Sequence, residues 1–123
     1  GLCLVGSEMC IRDSYQDTPL YVPSGTLIAK LAVENNILIK NEVFLDRNYN
    51  DDYSLVNRSN SKAMIDSSDE MVKRIKNFVE SGYILSINKK KLVLKVDTFC
   101  VHGDSLNISH NLKQLKKHLD GKL

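Results

Sequence analysis

No run of apolar residues in the 123-residue chain reaches the about 18 residues a membrane-spanning helix requires, which excludes such a helix. A surplus of one charge sign is also lacking. Seventeen Lys and Arg face 15 Asp and Glu, leaving +2, too little for a nucleic-acid footprint. Cysteine is scarce: Cys3, Cys10 and Cys100 are odd in number and match no zinc spacing, so neither a disulfide framework nor a zinc site is expected. No phosphate-binding P-loop or GxGxxG stretch occurs, so no motif argues for nucleotide binding. Internal repeats and low-complexity tracts are missing too. What is present is ordinary for a folded chain: 42% hydrophobic and 26% charged residues, the apolar ones recurring in blocks. The length allows one domain or a piece of one.

The opening segment Gly1 to Ser14 has neither helical nor strand period, and its single positive charge, Arg12, follows the apolar stretch instead of preceding it. It therefore fails as a secretory signal. It resembles translated sequencing adapter, and residues 1–14 are expected to be extraneous, with 15–123 forming part of a single domain. Without them one cysteine remains, Cys100, inside an apolar run and expected to be a buried small hydrophobe. A lone cysteine without an export signal implies a reducing, cytoplasmic compartment. The sequons at Asn57-Arg58-Ser59 and Asn107-Ile108-Ser109 would then go unused.

Beyond Tyr15 the pattern alternates. Leu20-Tyr21-Val22 predicts a strand, closed by Pro23, which cannot donate to a ladder. Ser24-Gly25 opens a helix with Leu27, Ile28, Leu31 and Ala32 on one face, stopped at Asn35-Asn36 because Asn tolerates the left-handed conformation. Val43-Phe44-Leu45 predicts a strand that runs into Asp46-Arg47. Residues 48–60 are polar and rich in turn formers, a long loop with an extended piece at Leu55-Val56; loops of this length frequently carry function. Ser67 and Glu70 have capping-box spacing before a helix with the stripe Met71, Ile75, Phe78 and Val79, closed by Gly82.

Tyr83 to Ile87 and Leu92 to Val96 flank Asn88-Lys89-Lys90-Lys91 and predict a hairpin. Thr98 to Val101 is the last strand. A final helix from Leu106 to Leu119 turns Ile108, Leu112, Leu115 and Leu119 toward a core. Its Lys113, Lys116 and Lys117 complement the helix dipole, and His110 and His118 among them are solvated. The fold class is α/β.

Two polar clusters follow predicted strands, the position where α/β sheets keep their sites. One is Asp46-Arg47 with Tyr49 and, beyond the loop, Arg58; the other is His102-Gly103-Asp104. Arginine offers a planar fork for carboxylate or phosphate. Histidine can move protons, with an adjacent carboxylate holding its tautomer or a cation. Taken singly, each cluster is more often structural: an Asp-Arg pair after a strand is usually an ion pair, and His-Gly-Asp is a common tripeptide.

Together, Glu42-Val43-Phe44-Leu45-Asp46-Arg47-Asn48-Tyr49, then Leu55-Val56-Asn57-Arg58-Ser59, then Asp97-Thr98-Phe99-Cys100-Val101-His102-Gly103-Asp104 resemble the C-terminal part of the LamB/YcsF family in order and spacing. Three departures stand out. Asn48 occupies a usual Gly position, where it can still adopt positive φ. Asn57 replaces a usual Pro, and Lys62 a usual Gly, a change the sequence leaves unexplained. Gly103 is kept, where a close backbone approach to a ligand is expected.

The family's N-terminal motifs do not occur. The resemblance therefore implies the C-terminal half of a glycoside hydrolase/deacetylase-type (β/α) barrel, for which roughly 250 residues is typical. It further implies ATP-dependent opening of 5-oxo-L-proline to L-glutamate, with magnesium accompanying the ATP, alongside B and C subunits. No nucleic acid or membrane partner is implied, metal content stays open, and the fragment alone is expected to be inactive. Under it, His102 shuttles a proton, Asp104 orients it or holds a cation, Arg47 or Arg58 grips substrate oxygens, and Asp46 and Tyr49 position these groups. Two other classes remain: a metal-dependent amide hydrolase or deacetylase of the same superfamily, and a non-catalytic α/β binding subunit.

Overall fold

A computed structural model describes residues 17–120. The described elements are β1 (Leu20–Pro23), α1 (Leu27–Glu34), β2 (Ile39–Phe44), α2 (Ser68–Ser81), β3 (Tyr83–Leu85), β4 (Lys91–Val93), β5 (Thr98–Cys100) and α3 (Ile108–Leu119). The predicted α/β alternation is present. β1, β2 and β5 form a parallel sheet in that order, and β3 and β4 form a separate antiparallel hairpin. The hairpin is as predicted but shorter, pairing Tyr83 with Val93 and Leu85 with Lys91. Strand β2 begins earlier than the apolar run Val43-Phe44-Leu45 foretold, because parallel pairing with β1 also orders the mostly polar stretch Ile39 to Glu42.

Local chemistry sets the helix ends. Gly25 has φ 76°, and a Cβ there would lie 3.0 Å from the Tyr53 ring and 3.1 Å from Leu94. Thr26 caps α1: its hydroxyl accepts from the Ala29 amide at 3.4 Å and donates to the Pro23 carbonyl at 2.7 Å. Asn36, at φ 55°, follows the end of that helix, the stop its neighbour Asn35 also marks. Gly82 ends α2 in the left-handed conformation, its amide donating to the Phe78 carbonyl at 2.7 Å. The expected capping box at the start of α2 is not formed: Ser67 sits at the N-cap but its side chain makes no cap bond. Asp69 and Glu70 in the first turn serve the helix dipole instead.

Two apolar clusters hold these pieces together. Leu45, Ile65, Met71, Val72, Ile75 and Leu115 join α2 and α3 to the end of β2, while Val43, Tyr49, Ile84, Leu92 and Leu94 tie the hairpin to the sheet. Phe99 packs against both clusters. Several residues expected inside lie outside. α1 buries Ala29 and Ala32, not its larger neighbours, and Leu27, Ile28 and Leu31 are exposed, as are Val79 on α2 and Leu112 on α3. A three-stranded sheet is too narrow to cover whole helical stripes, so α1 seats its smallest side chains against it.

One polar tie joins β2 to the residue just ahead of β5. The Asp97 carboxylate accepts from the Asn41 amide at 2.7 Å and from Asn41 Nδ2 at 3.1 Å. These bonds hold its carboxyl below the ordinary value of 3.8. A depressed folded value means the contribution is present above that ordinary value and is lost as pH falls through the folded one. Asp97→Asn is therefore expected to melt lower than the parent near neutral pH, with the gap closing in acid. Parallel thermal melts check this, and a gap independent of pH would refute it.

Candidate active site

The site begins with strand register. β2 and β5 are parallel neighbours, with Glu42 opposite Thr98, Val43 opposite Phe99 and Phe44 opposite Cys100. Continuing two residues past each strand brings Asp46 opposite His102. The Asp46 side chain is fully buried. It accepts the His102 backbone N–H at 2.8 Å, and His102 Nδ1 lies 3.0 and 2.9 Å from its two oxygens. An ionised carboxylate can only accept, so this contact suits the tautomer with its proton on Nδ1 and the lone pair on Nε2. The imidazole is held from the side by Phe44, ring centroids 4.9 Å apart, and its side chain keeps 35% exposure. This is an oriented imidazole that stays partly open to solvent.

A second layer fixes the segment after β2. Arg74, from the middle of α2, is buried and donates through Nη1 to the carbonyls of Phe44, at 3.1 Å, and Arg47. Its Nη2 donates to Asn48 Oδ1 at 2.8 Å, and the guanidinium lies 5.9 Å from the Tyr49 ring centroid. Burial pulls the Arg74 affinity for its proton below the usual guanidinium range, while Tyr49, Glu70 and Asp46 act in the opposite direction. Tyr49 is buried as well, its hydroxyl accepting the Phe44 amide at 2.9 Å. Burial raises that hydroxyl's pKa, so the phenol is neutral. Tyr49 holds the strand end.

The departures from the family pattern find local explanations. Asn48 does not take positive φ, as expected for a glycine substitute; the described non-glycine residues that do are Asn36, Tyr53 and Lys89. Its side chain instead bridges the loop, donating to the Lys62 carbonyl at 2.8 Å while accepting from Arg74. Asn57 replaces the rigidity of proline with an Asx turn, its Oδ1 accepting the Ser59 amide at 2.9 Å. Lys62 follows a similar turn, its amide donating to Asn60 Oδ1 at 2.9 Å.

Two of the remaining candidates, Asp104 and Cys100, are placed differently from expectation. Asp104 does not orient His102: it faces Arg58, 3.8 Å away, and both side chains are largely exposed. The reason is register, since Asp46 already occupies the position beside the imidazole. Arg47 is 7% exposed and donates through Nη2 to the Val56 carbonyl at 2.9 Å, which makes it a loop anchor, although its buried Nε has no partner among the described residues. Cys100 is half-buried, not fully buried, and burial with Glu42 and Asp46 nearby raises its thiol pKa. It is a thiol, not a nucleophilic thiolate. Gly103 is exposed, with nothing within 4 Å of where a Cβ would stand.

Gly103→Ala is accordingly expected to change stability by within about 0.5 kcal/mol. Gly25→Ala, at positive φ against Tyr53 and Leu94, is expected to cost on the order of 1 kcal/mol or more. Denaturant titrations of the two variants side by side check the contrast.

No three His, Cys, Asp or Glu side chains converge among the described residues. A divalent ion at this site would need donors from outside them. Sequence reasoning missed Arg74 altogether. Its signal was an arginine between Met71 and Phe78, three residues after one and four before the other, inside the apolar stripe of α2.

Parallel strands that end in a buried carboxylate and an imidazole bonded to it define an α/β protein with its polar groups where such sheets keep their sites. The model of the LamB/YcsF family matches residues 8–122, and the chain belongs to that family. The match begins within the opening segment expected to be extraneous, part of which it covers; that segment lies outside the described residues. The chain is 36% identical over 110 residues to a Pyrococcus horikoshii protein named as the A subunit of 5-oxoprolinase, covering 89% of this chain and 43% of the relative. It is 35% identical over 97 residues to a protein of the same name from Campylobacter jejuni, covering 79% and 38%. A lactam utilization protein from Thermus thermophilus shares the fold, with a TM-score of 0.74 and 20% identity over 91% of this chain and 45% of that one. The chain thus spans less than half the length of these relatives.

Proposed function

We propose that this chain carries the proton-transfer part of an amide hydrolase that opens 5-oxo-L-proline to L-glutamate. It would act as the A subunit of an ATP-dependent enzyme with B and C subunits, in the cytoplasm. The observation that supports it best is the Asp46–His102 pair at neighbouring parallel strand ends. The relatives named for the A subunit of 5-oxoprolinase direct that chemistry to a lactam.

A lactam carbonyl is a poor electrophile. Transfer of a phosphoryl group from magnesium-bound ATP to the carbonyl oxygen would activate the carbon before water adds. His102 Nε2 takes a proton from water as the C–O bond forms and returns it to the ring nitrogen as the C–N bond breaks. Asp46 keeps Nδ1 protonated and stabilises the imidazolium between those events. Hydrolysis of the resulting acyl phosphate gives glutamate and phosphate. Arg58, exposed and only loosely paired with Asp104, is available to a substrate carboxylate. Gly103, next to Asp104 in the chain, leaves open space around its own backbone.

The test grafts residues 17–120 onto the rest of a full-length relative, with its partner subunits. Glutamate released from 5-oxo-L-proline, with and without ATP, is then measured. ATP-dependent release that depends on His102 is expected. Unchanged release after replacing both His102 and Asp46 would favour a non-catalytic binding role and end this reading.

A further inference from the structure

We propose that the cleft between α2 and the β3–β4 hairpin binds a small molecule carrying two or more phosphate groups. The cleft has a volume of about 510 Å³, and His102 does not line it. Such a volume falls within the usual range for small-molecule sites. Lys62 from the long loop, Lys73 and Arg74 from α2, and Lys89 from the hairpin turn line it, against one carboxylate, Glu70. In a chain whose entire surplus is +2, that is a local concentration of positive charge.

The cations are also of a particular kind. The Arg74 guanidinium is already engaged by protein acceptors. Lys62, Lys73 and Lys89 are exposed, and their ammonium groups make no ion pair or hydrogen bond among the described residues. Free ammonium groups act as point charges, which suits the dispersed charge of phosphates; a lone carboxylate is better matched by a free planar fork. Lys89 sits at φ 64°, a left-handed conformation that Asn or Gly adopts at lower cost. Its amide donates to the Ser86 carbonyl at 2.9 Å, so the turn fixes the backbone from which this lysine reaches the cleft. Met64 and Ile87, both partly exposed, supply an apolar wall for the rest of the ligand. Lys62, unexplained by the sequence alone, acquires a role here.

The inference does not rest on the ring-opening reading, and its test is a binding measurement on the full chain. Inorganic triphosphate, and ATP in a separate series, are titrated calorimetrically into the parent and two triple variants. One is Lys62→Gln with Lys73→Gln and Lys89→Gln. The other removes the same charge elsewhere: Lys95→Gln with Lys113→Gln and Lys117→Gln. Saturable triphosphate binding is expected, weakened about tenfold or more in the cleft variant and unchanged in the control. Circular dichroism melts verify that both variants fold. No saturable binding by the parent, equal weakening in both variants, or binding of ATP but not of triphosphate would overturn the proposal. His102→Ala is expected to leave triphosphate affinity intact; its loss there would move the anion site to the strand ends and overturn the proposal equally.

Discussion

Arg74→Met is expected to destabilise the fold by about 3 kcal/mol or more. Arg74 is 9% exposed, and its guanidinium serves three acceptors on three residues: the carbonyls of Phe44 and Arg47 and the amide oxygen of Asn48. Methionine fills a similar volume and relieves the desolvation of a buried cation, so lost packing contributes little. What dominates is three buried acceptors left without donors. Those acceptors lie in the segment that carries Asp46, so the damage spreads to the site. Arg74→Lys keeps the charge but cannot fork to both carbonyls and Asn48 together, and an intermediate loss is expected. Denaturant midpoints for the two variants decide the matter. A loss under about 1 kcal/mol for methionine would mean that water reaches those acceptors and that Arg74 is no clamp.

The second large effect concerns turnover. In the full-length graft, His102→Ala is expected to lower it about 10²–10⁴-fold, the usual contribution of a positioned proton-transfer group. Stability should change much less, because alanine keeps the backbone N–H that Asp46 accepts at 2.8 Å. Asp46→Asn tests the same pair from the other side. An amide NH₂ facing Nδ1 would drive the imidazole proton to Nε2, removing the base while preserving shape. A comparable fall in turnover is expected, with the folded state retained. Measuring kcat and the denaturation midpoint on the same preparations separates the two roles. Steeply lower stability with normal turnover of the folded fraction would make His102 a structural residue.

Much of this molecule is legible in its local sequence pattern. The helix from Ser68 to Ser81 and its Gly82 stop follow from a 3.6-residue apolar period and a residue with no Cβ. The hairpin around Asn88 and Lys89 follows from alternating β-formers either side of a polar turn. Burial is less legible. Leu27, Ile28, Leu31, Val79 and Leu112 all fit helical stripes yet are exposed. Periodicity says which residues share a face, but only the sheet beneath the helix decides how much of that face is covered.

The candidate site divides in the same way. The sequence by itself determined that two polar clusters follow apolar strands, and that Asp46 and His102 are among them. It could not choose between Asp46, far away in the chain, and Asp104, two residues along, as the partner of His102. Nearness in sequence favoured Asp104. Only the tertiary structure decided it, because parallel pairing of Phe44 with Cys100 sets residues two further along each strand side by side. Arg74 belongs to that part as well. A single arginine in an apolar stripe is unremarkable until the carbonyls it must satisfy are brought to it by the end of another element. Local pattern fixes which backbone forms strand or helix; which buried donor meets which acceptor depends on register and packing between segments distant in sequence.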